Sequence, residues 1–192
     1  DFLKKLNRIT EIRVLRGFTR GKPPDPFAPE TFSSKNDKFR PISPGSRKDP
    51  TTGNTVPITW LPGVQNNGEG IFFSLNEKKL REWEEQKKVK ERFEGLRENY
   101  ITSVEKQKRS KSEYIMDTFS RPRYVLLHTL SHLLVRQLSI GSGYHESDIK
   151  ERIYHSKNTN GIMLYTASVS SQGSLGGLVR IGEGKRFLKI LK

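Results

Sequence analysis

Apolar and polar positions are unevenly spread along the chain. The last third holds most of the apolar density. Tyr124-Val-Leu-Leu-His128-Thr-Leu-Ser-His132-Leu-Leu-Val-Arg136 is an apolar helix signal interrupted by two histidines. Pro122 suits its first turn, and the spacing predicts a helix over 122–138 that Gly141-Ser-Gly143 ends. Ser147 suits the cap of a short helix over 148–154. Ile162-Met-Leu-Tyr165 predicts a buried strand, and an amphipathic helix is expected over 175–191. Upstream, Ile9-Thr-Glu-Ile-Arg-Val-Leu-Arg16 alternates roughly at period two and predicts a strand. Residues 21–55 are rich in Pro, Gly, Ser, Lys and Asp. With so little apolar surface to offset the entropy of ordering, they are expected to form a flexible insert. Val56-Pro-Ile-Thr-Trp60-Leu is a short extended piece whose proline suits an edge. Gly68-Glu69-Gly70 reads as a flexible turn leading into the strand Ile71-Phe-Phe73.

Ser74-Leu-Asn-Glu77 fits a capping box. It predicts a long helix to about residue 112, with Leu80, Trp83, Phe93, Leu96, Tyr100 and Val104 on an apolar stripe and dense charge elsewhere. The expected order is β, loop, β, α, α, α, β, α, with no internal repeat. The fold class is therefore α/β or α+β: a small sheet with packed helices, one long charged helix and a Pro/Gly-rich insert. Residues 1–73 hold the first strand and the insert, 74–120 the long helix and 121–192 the core, all within one expected domain.

Composition sharpens this picture. Of 192 residues, 32% are hydrophobic and 29% charged, so the core is confined to part of the chain. The net charge of +14 implies a polyanionic partner, nucleic acid above all. The absence of cysteine excludes disulfides, thiolate metal sites and cysteine nucleophiles. No apolar run approaches the length of a membrane span, and no signal peptide opens the chain. The first residue is Asp1 rather than Met, which suggests a fragment of a longer intracellular protein.

The candidate chemistry is sparse. His128 and His132, four residues apart, point from one helix face, and two imidazoles at that spacing can share a zinc ion. No glutamate stands beside His128, so the metalloprotease pattern is absent. With no further ligand in view, a packed or supporting role is expected, and no metal in this chain. Arg136, one turn on, extends the stripe to one able to receive a phosphate or carboxylate. The loop Ser170-Ser171-Gln172-Gly173-Ser174-Leu-Gly176-Gly177 lies between a strand and an expected helix, where backbone amides can approach an anion. It is neither a P-loop nor a dinucleotide fingerprint, and the plainer alternative is a tight turn with close packing. His128, His132, Arg136, Ser171, Gln172, Gly173, Ser174, Gly176 and Gly177 are the candidate surface for nucleic acid or a partner. Glu69 is a lone carboxylate for which a turn role is expected, with a catalytic one as the alternative. The basic clusters Lys87-Lys88, 106–111 and Arg121-Pro-Arg123 read as solvated faces, some of them able to touch phosphates.

Taken in order, several segments resemble the C-terminal region of the DrmB family, helicase-associated components of the DISARM anti-phage system. Their hallmark domain is similar to the zinc-binding (MZB) domain of MrfA-type helicases. The matching pieces are Glu11-Ile-Arg-Val-Leu-Arg-Gly-Phe-Thr-Arg20, Ile58-Thr-Trp-Leu-Pro62, Gly68-Glu-Gly-Ile71, Leu127-His-Thr-Leu-Ser-His132, Arg136-Gln-Leu-Ser139, Gly143-Tyr144, Glu151-Arg-Ile-Tyr154, Gly161-Ile-Met-Leu-Tyr-Thr-Ala167 and Gly173-Ser-Leu-Gly-Gly-Leu178. The resemblance implies a cytoplasmic prokaryotic protein that handles DNA beside a superfamily 2 helicase in phage defence and performs no catalysis itself. It also implies zinc-binding cysteines. This chain has none, and Ser142 precedes Gly143 where a cysteine is expected, so the expectation is either that zinc belongs to a segment beyond Lys192 or that this member has lost it. Two other classes stay open: a phosphodiester-cleaving or nucleotide-binding enzyme using His128, His132 and the Gly-rich loop, and a structural adaptor whose charge is incidental.

Overall fold

A computed structural model describes residues 2–19, 39–41, 45–58, 60–106, 121–156, 158–167 and 176–191. The strands are β1 (Phe2–Val14), β2 (Gly17–Thr19), β3 (Phe39–Pro41), β4 (Ser46–Lys48), β5 (Thr55–Pro57), β6 (Gly63–Ser74), β7 (Ile149–Tyr154) and β8 (Gly161–Ala167). The helices are α1 (Glu77–Glu84), α2 (Lys87–Lys106), α3 (Pro122–Ser142), α4 (Gly177–Ile181) and α5 (Gly184–Ile190). The class is mixed, with helices packed on an antiparallel sheet, in keeping with the sequence expectation.

The chain forms two compact units, 1–11 with 66–192, and 12–65. The smaller holds two two-stranded ribbons. In one, Phe18 pairs with Arg40; in the other, Arg47 pairs with Val56. The second ribbon closes over Asp49, whose carboxylate accepts the amides of Thr51 and Thr52 at 2.8 and 2.9 Å. Those bonds, led by that from Thr52, hold its carboxyl below the ordinary value. Part of the supposed insert is therefore a hairpin; residues 20–38 and 42–44 lie outside the described residues.

The larger unit is built on a four-stranded sheet in the order β1-β6-β8-β7. Register defines its two faces. Glu69, Ile71 and Phe73 of β6 stand opposite Thr166, Leu164 and Ile162 of β8, which in turn stand opposite Ile149, Glu151 and Ile153 of β7. The helices cover this face. Leu127, Leu134 and Leu138 of α3, with Leu178, Ile181 and Phe187 of α4 and α5, bury against Ile71, Phe73, Ile149, Ile162 and Leu164. The opposite face carries Phe72, Met163 and Arg152 in one row, and Gly70, Tyr165 and Lys150 in the next. There Glu11 of β1 accepts from Lys150 at 2.6 Å and from the Tyr165 hydroxyl at 3.1 Å.

Three of the expected helices differ in the structure. Residues 148–154 form a strand rather than a helix. Lys, Glu and Arg favour helix only weakly, and Ile149, Glu151 and Ile153 alternate at the period that pairing with β8 rewards. The long helix breaks after α1. In an unbroken helix of ~3.6 residues per turn, Phe93 would point about 140° away from Leu80. The break lets both bury. Residues 112 and 107–111 lie outside the described set. The expected C-terminal helix is split at Gly182, whose Cβ would stand 2.8 Å from Ile71. The predicted helix over α3 is present, with Pro122 at its start and Gly143 at φ 80° closing it.

Ser74 ends β6, and the cap of α1 is Asn76, whose side chain accepts the Lys79 amide at 3.1 Å. Asn76→Ala should cost about 1 kcal/mol. A urea melt of the variant checks this, and Asn76→Asp should retain most of the stability.

Candidate functional site

On α3, His128 and His132 share a face, and their Nε2 atoms lie 3.0 Å apart. Glu151 of β7 reaches the same point. Its Oε1 is 3.4 Å from His128 Nε2 and 3.8 Å from His132 Nε2. Glu151 gets there because it occupies the helix-facing side of an edge strand, in the row of Leu164 and Ile71. A carboxylate on that face must find polar partners, and the polar flank of α3 supplies them. Ser131 is fully buried and sets its hydroxyl against both the other Glu151 oxygen and the His128 carbonyl, the latter at 2.7 Å. Tyr124 stacks on His128, with ring centroids 5.5 Å apart and planes 12° apart. The side chains are 43% (His128), 65% (His132) and 27% (Glu151) exposed, so the cluster is open to solvent. Two imidazole nitrogens and a carboxylate oxygen converging in this way can hold a shared proton or a divalent cation.

The expectation of no metal counted only the two histidines. A helix over 148–154 hides Glu151 as the third donor, and its alternation with Ile149 and Ile153 is the signal that points to it.

Of the other candidate residues, the structure describes Arg136, Gly176 and Gly177. Arg136 is exposed on α3. Ser171, Gln172, Gly173 and Ser174 lie outside the described residues. Gly176 and Gly177 are at the far end of α3. A Cβ at Gly177 would stand 2.8 Å from the Ser142 carbonyl and 2.9 Å from the Tyr144 ring. Ser142 lies about 15 Å along the axis from His132, at ~1.5 Å rise per residue. Gly177 therefore packs close to the end of α3, Gly176 stands open at φ 128°, and the histidines face β7.

What the start of α4 meets is Glu69. This residue is not in a turn: it sits within β6, 1% exposed. Its Oε1 accepts the Leu178 amide at 2.9 Å and the Tyr144 hydroxyl at 3.0 Å. Burial, then the bond to Glu69 and its charge, push the Tyr144 phenol up to about 12. Glycines flanking a carboxylate are the one local sign of this triad.

Arg123, expected on a solvated face, is likewise buried. It makes a bidentate pair with Glu84, at 2.9 and 2.6 Å, and binds Glu77 at 3.1 Å. Lys87 and Lys88 are exposed as expected.

No protein-family model matches the chain. The chain is 36% identical, over 185 aligned residues, to the DISARM protein DrmB of Bacillus paralicheniformis; the match covers 93% of this chain and 28% of that protein. The chain is thus DrmB-like in sequence, and it spans little more than a quarter of the length of the curated relative it matches. Among the described residues, no helix is long and apolar enough to cross a membrane.

Proposed function

We propose that the chain is an MZB-like module of a DISARM-type anti-phage component. In this reading it holds DNA for a superfamily 2 helicase in the cytoplasm and performs no catalysis itself. The observation that carries the reading is the similarity to DrmB over 93% of the chain. The charge of +14 supports the DNA contact, since cations gain affinity for phosphates by counterion release. The sheet face opposite the helices supports it too. Phe72 lies edge-on to Phe2 at 6.4 Å and to Tyr154 at 5.9 Å, and Arg152 is exposed beside them. Exposed rings next to cations are what unpaired bases stack on.

The test is an anisotropy titration of labelled single- and double-stranded DNA across salt concentrations. Binding should show little sequence preference. If six or more phosphates are engaged, affinity should fall about 10³-fold or more between 50 and 200 mM salt. Tyr154→Ala with Arg152→Ala should weaken single-stranded binding most. No binding at low salt overturns the DNA reading. The helicase reading is checked apart from it, by mixing the chain with a superfamily 2 helicase encoded beside its gene and measuring complex formation by sedimentation.

A further inference from the structure

We propose that His128, His132 and Glu151 form a binding site for one divalent transition metal of zinc type, clasping α3 to the edge strand β7. The geometry carries this. A tetrahedral ion with bonds of ~2.1 Å holds its ligand atoms about 3.4 Å apart. The three donor–donor distances here are 3.0, 3.4 and 3.8 Å, and they come from three side chains on two separate elements. All three atoms lie within 4.8 Å of one another, so a single ion reaches them all with little movement of the backbone.

The supporting atoms fit as well. A ligating carboxylate is held in place by a hydrogen bond to its other oxygen, and Ser131 provides that bond from a fully buried position. Tyr124 fixes the plane of the His128 ring by stacking on it. The donor set of two imidazoles and one carboxylate selects zinc and its neighbours over magnesium or calcium, which prefer oxygen-only shells. Three protein ligands leave a fourth position for water or another oxygen donor, such as a phosphate. The chain has no cysteine, so no thiolate within it competes for the ion. The site rests on geometry alone, and its fate is separate from that of the DNA reading.

The test uses the 192-residue chain, stripped with chelator and titrated with Co²⁺ and with Zn²⁺. Visible Co²⁺ bands of a low-coordinate ion and one Zn²⁺ per chain are expected. Zn²⁺ should also raise the melting temperature. His132→Ala removes a largely exposed ring and leaves the core intact. It should abolish stoichiometric binding and the thermal shift while the circular dichroism spectrum is unchanged. Glu151→Gln should weaken binding while keeping a partner for Ser131, and Ser131→Ala should weaken it about 10–100-fold. His145→Ala, an exposed histidine outside the cluster, should leave it unchanged. Absence of stoichiometric binding overturns the proposal. So does binding that survives both His132→Ala and Glu151→Gln, which would place the ion elsewhere.

Discussion

Arg123→Ala should lose about 3–5 kcal/mol of stability, the cost of removing one partner from a buried ion pair. The guanidinium is 1% exposed and links three elements. It grips Glu84 at the end of α1 with two parallel bonds, reaches Glu77 at the start of α1, and donates to the Ser156 carbonyl at 3.0 Å, just beyond β7. Asn160 extends the network. Its amide nitrogen donates to Glu77 at 2.7 Å and to the Leu75 carbonyl at 3.1 Å, and its oxygen accepts the Leu75 amide at 2.8 Å. Deleting Arg123 strips the 11% exposed Glu84 of its charged partner, while Glu77 keeps Arg81 and Asn160, so the loss reflects the stranded Glu84 charge as much as the missing bonds. Arg123→Lys should recover only part of it, since an ammonium cannot make the fork. Chemical denaturation measures both variants; an Arg123→Ala protein within 1 kcal/mol of wild type would refute the argument.

The same network sets a pH dependence. Burial acts to raise the Glu77 carboxyl, but hydrogen bonds from Arg81, Asn160 and Arg123 outweigh it and hold the group below its ordinary 4.5. A carboxyl depressed in the folded state contributes stability above its unfolded pKa and loses it as pH falls through the folded value. Wild-type stability should therefore decline below about pH 4.5 more steeply than that of Arg123→Ala.

Arg123 also shows where sequence reading stops. Arg121-Pro-Arg123 looks like a solvated basic cluster, because nothing local distinguishes an arginine that meets two glutamates from an earlier helix. The pairing lies 39 and 46 positions back and exists only once α1 folds against α3. Elements set by local signals were legible. The periodicity and flanking Pro and Gly of α3 gave a helix start at Pro122, and the apolar run at Ile162 gave β8. The segment 149–154 was not legible, since its propensity and its pairing disagree and the neighbouring strand decides. The candidate site was half legible for the same reason. Helical spacing put His128 and His132 on one face, but the third donor depends on which face of β7 looks inward, and that follows from register with β8. Burial of Glu69 was hidden by its glycines, which read as a turn when judged by flexibility alone.

Those glycines carry the largest expected effect. Gly68→Ala should destabilise the larger unit by more than ~4 kcal/mol. A Cβ at Gly68 would stand 1.5 Å from the Thr166 carbonyl oxygen, 2.5 Å from its carbon and 3.0 Å from the Ala167 Cα. All three are backbone atoms of β8, so no rotamer change relieves the overlap. Neither strand can swing aside, because β6 and β8 are the inner pair of the order β1-β6-β8-β7 and each is held by an outer neighbour. Relief requires breaking the Gly68–Ala167 and Glu69–Thr166 pairing. That in turn carries Glu69 away from Leu178 and Tyr144 and leaves a buried carboxylate without donors. The combined loss should exceed ~4 kcal/mol, beyond ordinary substitutions and a large share of a domain's ~5–15 kcal/mol. Gly143→Ala is the matched comparison. There φ is 80° and nothing lies within 4 Å of the new Cβ, so only local backbone strain of ~1–2 kcal/mol is added. Circular dichroism and urea melts of the two variants separate the causes. If close strand approach is what Gly68 serves, Gly143→Ala folds with slightly reduced stability, and Gly68→Ala melts at far lower urea or does not fold. A Gly68→Ala protein that melts near Gly143→Ala would mean the strands part readily at this point and that Glu69 is not held by their pairing.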